Sequence, residues 1–304
     1  VPWQKTIRRS VSTSGVGIHG GERVSLRLRP APAGTGIVFV RTDLDIAIPA
    51  RAENAHDQAY ATSLHQRGAE ARTVEHLLGA LSGVGVTNAY VDIDRVEVPI
   101  LDGSALPFVQ MLRQAGLVEQ GVSIPEMLVR KPILVGDRDR WVELRPAAEL
   151  VVDYRVSYDS PAVGRQRFVG RMTPQRFASA IAPARTFGFL ADVPALRTQS
   201  LARDGSPGDG LAEGESRALA GELRFCDEFV RHKVLDLIGD LALLEYPLRA
   251  RVVAHKAGHG LHLAALHELL AHPEAWELVE PDRVAPFTVR PYPAEPESEA
   301  AFVG

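Results

Sequence analysis

The chain has 304 residues, 45% apolar and 24% charged, the mix of a globular protein with a full core. Its net charge of −4 (34 basic residues against 38 acidic) gives no overall basic field for nucleic acid or an anionic surface. No apolar run reaches the ~18–20 residues that cross a bilayer. The opening Val1-Pro2-Trp3-Gln4-Lys5 lacks the pattern of a signal peptide. The single cysteine, Cys226, excludes an internal disulfide and a thiolate-rich metal site. A cytoplasmic protein of two domains is expected, at about 150 residues per domain, with no nucleic-acid partner and no transmembrane segment.

In chain order, the alternation Val24-Ser-Leu26-Arg-Leu28-Arg29 predicts a half-buried strand within Gly15–Arg29. Pro30, Pro32 and Gly34 break it, and a second strand follows at Ile37–Val40. A helix is expected over Thr73–Val84, with Thr73 as N-cap and Val74, Leu77, Leu78 and Leu81 as its apolar stripe. Next come a strand at Asn88–Ile93, a loop through Pro99 and Asp102-Gly103, and a helix from Ala105 to about Gln114. Gly116–Pro125 reads as a break between domains. Strand-like segments near 127–135 and 141–157 precede a loop-rich section over 183–225. A strong helix over Glu228–Leu244, capped by Asp227, stops before Pro247. A strand at Leu248–Ala254, a Gly258-His259-Gly260 turn and a helix at Leu261–Ala271 complete the pattern. The domains are therefore expected at 1–120, with a small β insert, and at 126–280, with an insert near 187–226. Residues 281–304, with five prolines and an acidic cluster, read as a flexible tail.

Val74–Leu81 lies over Val234–Leu241 at an offset of 160, with four of the eight positions identical. Helix, strand, glycine-containing loop and helix recur in the same order around both segments. Duplication of a β/α unit is the expectation, and His76 then falls on Asp236.

On the second of these helices, His232, Asp236 and Asp240 line the face opposite Val234, Leu237, Ile238, Leu241 and Leu244, beside Gly239, which permits close approach of another element. Taken alone, His232 and Asp236 read as a local ion pair on a partly exposed helix. If the two halves pack through their polar faces, His76, His232 and Asp236 converge into a set that suits Zn²⁺ with one position left for water. Glu75 then stands where a base would take that water's proton, although a first-turn glutamate also serves the helix dipole. His259, between two glycines, suits a general acid with Asp240 keeping it charged, or is simply a loop histidine. A rival cluster is His255, His259 and His262. Thr186, in Arg185-Thr-Phe-Gly-Phe189, suits an oxyanion donor with the phenylalanines covering apolar substrate, or loop packing. Lys233 meets an anionic group or solvent.

Thr73-Val-Glu-His-Leu-Leu-Gly-Ala-Leu81, Pro99-Ile-Leu-Asp-Gly-Ser-Ala105, Arg185-Thr-Phe-Gly-Phe189, Asp227-Glu-Phe-Val-Arg-His-Lys-Val-Leu-Asp236 and Gly258-His259 together resemble the UDP-3-O-acyl-N-acetylglucosamine deacetylase family, zinc amidases of lipid A synthesis in Gram-negative bacteria. The resemblance implies an α+β fold of two similar β-α-α-β two-layer sandwiches with the active site between them. It implies His76, His232 and Asp236 as zinc ligands, Glu75 as general base and His259 as general acid supported by Asp240. It also implies Thr186 on the oxyanion side, with Phe187 and Lys233 at the substrate, a UDP-linked amino sugar; a monomer is expected. Two stretches depart from the family pattern. Ser200–Arg217 lacks the usual Leu-Asp-Asn element and is polar and glycine-rich, and His262 replaces an asparagine. A passage of such sequence would grip a long acyl chain poorly, at ~0.8 kcal/mol for each CH₂ left in water. The alternatives are a sister deacetylase whose substrate has a short acyl chain or none, and a binding homologue without turnover.

Overall fold

The computed structural model describes residues 3–58, 60–159, 163–189, 211–214, 217–218 and 222–280. Its first half contains β1 (Trp3–Ile7), β2 (Val11–Val16), β3 (Arg23–Pro30), β4 (Ile37–Arg41), β5 (Ile46–Pro49), β6 (Ala55–Gln58), β7 (Ala61–Gln66), β8 (Ala69–Arg72), α1 (Glu75–Val84), β9 (Ala89–Ile93), α2 (Leu106–Ala115) and β10 (Leu117–Ser123). The second half contains β11 (Glu126–Val129), β12 (Ile133–Gly136), β13 (Trp141–Pro146), β14 (Val151–Ser157), β15 (Arg165–Arg171), α3 (Pro174–Arg176), β16 (Phe187–Phe189), β17 (Leu211–Gly214), β18 (Arg217–Ala218), α4 (Glu228–Leu241), β19 (Leu248–His255), α5 (His259–Ala271) and β20 (Trp276–Val279). The fold is α+β.

One sheet plan occurs twice. The first sheet runs β2-β3-β9-β4-β5, with β9 antiparallel to β3 and parallel to β4. In the second, β12, β13, β19, β14 and β15 repeat that order and those senses, and β11 and β20 extend it. Each central strand lies between two helices in sequence, α1 and α2 in one half, α4 and α5 in the other. Alternation sets the sheets' faces. Val24, Leu26 and Leu28 are buried and Arg23, Ser25 and Arg27 exposed on β3, the period-two pattern expected there.

The two central helices meet at equivalent glycines. A Cβ on Gly239 would lie 2.1 Å from the Glu75 carbonyl oxygen, and one on Gly79 2.9 Å from Leu235 Cδ1 and 3.4 Å from its carbonyl oxygen. Positions 75 and 235, and 79 and 239, correspond under the 160-residue offset, so the contact is reciprocal. Because the polar faces turn toward each other, α1 is buried from Glu75 to Leu81 and α4 over nearly its whole length.

Several local expectations are corrected. Thr73 does not cap α1; it has φ +55 and its hydroxyl donates to Glu97 Oε1 at 3.0 Å. Asp227 sits at the start of α4 without capping it, because its carboxylate accepts from Arg231 Nε at 2.5 Å. The α-helix ends at Leu241 and tightens into a 3₁₀ turn over Ala242–Leu244. His259 is the first residue of α5 rather than part of a preceding turn. The expected break at 116–125 holds β10, which pairs with β1 from the start of the chain. The tail at 281–304 and most of the divergent 200–217 stretch lie outside the described residues.

Replacing Gly239 with alanine drives a Cβ into backbone, which cannot yield as a side chain can. Gly239→Ala is expected to cost about 1–3 kcal/mol or more, and Gly79→Ala less, because Leu235 can rotate away. Thermal denaturation of the two variants checks this order.

Candidate functional site

Three polar side chains meet where α1 and α4 cross. Asp236 Oδ1 lies 3.5 Å from His76 Nε2 and 3.3 Å from His232 Nε2, and all three residues are buried. Oδ1 has no hydrogen-bond partner, whereas Oδ2 accepts from Lys233 Nζ at 2.6 Å. The His232 Nδ1–H donates to the Ala184 carbonyl at 3.1 Å, which leaves Nε2 directed at the cluster. A tetrahedral ion with bonds of about 2.0–2.1 Å holds its ligands roughly 3.3–3.4 Å apart. The spacing and the orphaned oxygen both fit a metal ion, and the ligand atoms of His76, His232 and Asp236 all lie within 4.8 Å of one another.

A second cluster adjoins it. Asp240 Oδ2 accepts from His259 Nδ1 at 2.8 Å and from His262 Nδ1 at 2.7 Å. The Thr62 hydroxyl donates to Asp240 Oδ1 at 2.6 Å and lies 3.1 Å from His259 Nδ1. Tyr154 Oη contacts His262 Nε2 at 2.9 Å. His259 Nε2 faces the first cluster, 3.8 Å from Asp236 Oδ2. The rival histidine trio does not assemble: His255 lies against Trp141, its cross-strand partner on β13.

Burial and charge act against each other at these groups. Burial would lower the His259 pKa, but the charge and hydrogen bond of Asp240 outweigh it and raise it to about 9. Burial pushes Asp240 the other way from its partner histidines, which prevail and hold it at about 2. Burial raises the Glu75 carboxyl, partly offset by the neighbouring His259 and His76. Burial also brings His232 down to about 4, a neutral imidazole that keeps its lone pair for a ligand role.

The structure brings Glu75, His76, His232, Asp236, Asp240 and His259 into one buried group, which half-buried Lys233 joins through Asp236. Glu75 Oε2 accepts from the Thr62 backbone N–H at 3.1 Å. Lys233 is engaged by Asp236 rather than left to solvent. The Phe187 ring stands 4.9 Å from that of Phe229 and 6.1 Å from that of His232, at the border of the cluster. Thr186 is half-buried, its backbone N–H donating to the Gly103 carbonyl at 2.7 Å. The preceding Arg185 is anchored by fully buried Glu228, through its backbone N–H and its Nε, both 2.9 Å from Oε1. Thr62, Tyr154 and Glu228 were not legible as site residues. His262 was, but in the wrong cluster, and its position four residues after Gly258 on a helix was the available signal.

A buried two-histidine, one-aspartate cradle able to hold a cation, with a carboxyl and a charged imidazole beside it, is an arrangement of the kind metal-dependent hydrolases use. The chain belongs to the UDP-3-O-acyl N-acetylglycosamine deacetylase family, whose model matches residues 4–271. It is 40% identical over 297 residues to the UDP-3-O-acyl-N-acetylglucosamine deacetylase of Shewanella baltica (strain OS155), covering 94% of this chain and 97% of that protein. Identity is also 40% to the proteins of that name from Shewanella frigidimarina, over 289 residues (93% and 94% covered), and Shewanella oneidensis, over 297 residues (94% and 97% covered). No helix among the described residues is long and apolar enough to cross a membrane.

The His259–Asp240 pair gives the metal-free protein a pH signature. A histidine raised from 6.5 to about 9 contributes stability that is complete below about pH 6.5 and lost as pH rises through about 9. Its partner, lowered from 3.8 to about 2, contributes above about pH 4 and loses that as pH falls through about 2. The stability gap between wild type and Asp240→Asn is expected to be widest between about pH 4 and 6.5 and to narrow toward pH 9. Melting temperatures of chelator-treated protein across that range measure it.

Proposed function

We propose that the chain removes the N-acetyl group of UDP-3-O-acyl-N-acetylglucosamine with one zinc ion, releasing acetate, in the lipid A pathway of the cytoplasm. The observation that carries the reading is the unpartnered Asp236 Oδ1 between two imidazole nitrogens, beside Glu75 and His259. The set of two nitrogens and one oxygen, with a position left for water, suits a catalytic zinc.

His76, His232 and Asp236 would hold the ion, which when bound polarises the acetamide carbonyl and brings the pKa of water toward ~7. Glu75 takes the proton from the attacking water; its buried carboxyl, raised in pKa, holds that proton more readily than an exposed glutamate would. The water oxygen bonds to the acetamide carbon, and the Thr186 hydroxyl donates to the carbonyl oxygen as negative charge develops there. The C–N bond then breaks, with His259 delivering a proton from Nε2 to the departing amine nitrogen. Asp240 holds the imidazolium until that moment and keeps the ring's orientation. Lys233 fixes Oδ2 of Asp236, so that Oδ1 alone faces the two imidazoles. Phe187 supplies an apolar wall beside the sugar.

Glu75→Ala is expected to retain about one metal ion per chain and to lose at least about a hundredfold in turnover, the range of general-base contributions. Metal analysis beside an acetate-release assay tests this; unimpaired turnover removes Glu75 from the role. The polar, glycine-rich Ser200–Gly210 stretch favours a second reading, a substrate with a short acyl chain or none. Acetate release from UDP-N-acetylglucosamine with no 3-acyl group, a short one and a long one separates the two. Faster release from the acylated compounds is expected, and equal rates would carry the second reading instead.

A further inference from the structure

Glu228 is fully buried in the first turn of α4, four residues before His232. A glutamate there serves the helix dipole equally well from solvent, so its burial has another reason. Its carboxylate collects four donors. The Arg185 backbone N–H and Nε both lie 2.9 Å from Oε1, Arg185 Nη2 lies 3.2 Å from Oε2, and the Arg224 backbone N–H lies 2.6 Å from Oε2. Four is the full capacity of a carboxylate, so none is left for a metal ion or a substrate. A buried ion pair adds little stability over an apolar pair of the same shape, and what this one holds in place is backbone.

The backbone concerned runs through residues 183–186, beside the metal cluster. The Ala184 carbonyl accepts from His232 Nδ1 at 3.1 Å, the Arg185 N–H goes to Glu228, and the Thr186 N–H donates to the Gly103 carbonyl at 2.7 Å. Three consecutive residues are thus tied to α4 at two points one helical turn apart, and to the first half of the chain at a third. Arg224 completes the frame. Its guanidinium donates to the Pro183 carbonyl and to Asp102 Oδ2, both at 2.9 Å. Asp102 in turn shapes the loop that carries Gly103, accepting from the Ser104 N–H at 3.0 Å and the Ser104 hydroxyl at 2.8 Å. Arg185 Nη2 also donates to the Glu222 carbonyl at 2.9 Å, joining the stretches before and after the insert.

We propose that Glu228 is a positioning residue: by holding the backbone at Arg185 and Arg224 it sets where the Thr186 hydroxyl stands and which way the His232 ring is turned. The catalytic value of that placement rests on the deacetylase reading, whereas the placement itself rests on the hydrogen bonds. Glu228 takes no part in the chemistry and touches no reacting atom. Glu228→Gln keeps the shape but offers one oxygen where two are used, and it turns an NH₂ group toward N–H donors. The segment at 183–186 then loses one of its fixed points, and Thr186 moves with it.

In the full metal-loaded chain, Glu228→Gln is expected to lose about ten- to a hundredfold in kcat, with KM within about threefold of wild type, because a displaced donor is felt in the transition state. Thr186→Val sets the comparison. The double variant is expected to be slower than the slower single one by no more than about twofold, since both changes remove the same interaction. Amide hydrogen exchange, followed without substrate, is expected to be at least about tenfold faster at Thr186 in Glu228→Gln while the amides of β19 keep their wild-type rates. If Glu228→Gln does not fold, Arg224→Gln, at a side chain 33% exposed, cuts the bonds to Pro183 and Asp102 and is expected to give the same pattern more weakly. Losses that multiply in the double variant, a Thr186 amide that stays protected, or β19 amides that loosen equally would make Glu228 a structural ion pair only and overturn the proposal. A wild-type chain that releases no acetate removes the deacetylase reading instead, and exchange at Thr186 still decides whether Glu228 sets this segment.

Discussion

Two glycines let α1 and α4 approach until backbone meets backbone, and the chemistry follows from that distance. With any larger side chain at 239 the helices would separate, and His76 would leave the reach of Asp236. Close approach also forces ionisable groups out of water, where an unpaired charge costs several kcal/mol even after relaxation. The structure answers with two internal ion pairs, Lys233 with Asp236 and His259 with Asp240. What is left over is one carboxylate oxygen between two imidazoles.

The repeated sheet plan explains how distant segments are placed so closely. Each half presents its central helix on the inner side of its sheet, and the two helices meet at corresponding residues. The equivalence ends at the polar cluster between the helices. His76 corresponds to Asp236, so the paired scaffold carries an imidazole nitrogen on one side and a carboxylate oxygen on the other.

Much of this was readable from residue order. Period-two alternation marked β3, the strands expected at 37–40, 88–93 and 248–254 match β4, β9 and β19 to within a residue, and the offset of 160 exposed the correspondence of the two helices. The histidine and aspartate on α4 marked the site because their face lies opposite an apolar stripe. What stayed hidden depended on partners far along the chain. Thr62 is one small polar residue in a short strand, and its significance comes from Asp240, 178 residues later. The expected caps failed for the same reason: Thr73 found Glu97 and Asp227 found Arg231, both stronger acceptors or donors than a helix end. β10 looked like a linker because its ladder is with the first strand of the chain. Periodicity reports which face is buried and is silent on what lies across from it.

Thr62 fixes one more property. Its hydroxyl has a single proton, and the shorter contact, 2.6 Å to Asp240 Oδ1, claims it. Toward His259 Nδ1, 3.1 Å away, it then offers only a lone pair, and Asp240 Oδ2 offers another at 2.8 Å. Two acceptors on one ring nitrogen mean that Nδ1 keeps its hydrogen whether the ring is charged or neutral. Exchange is confined to Nε2, so the imidazole can discharge and be replenished at the same atom, with no tautomer change and no rotation of the ring.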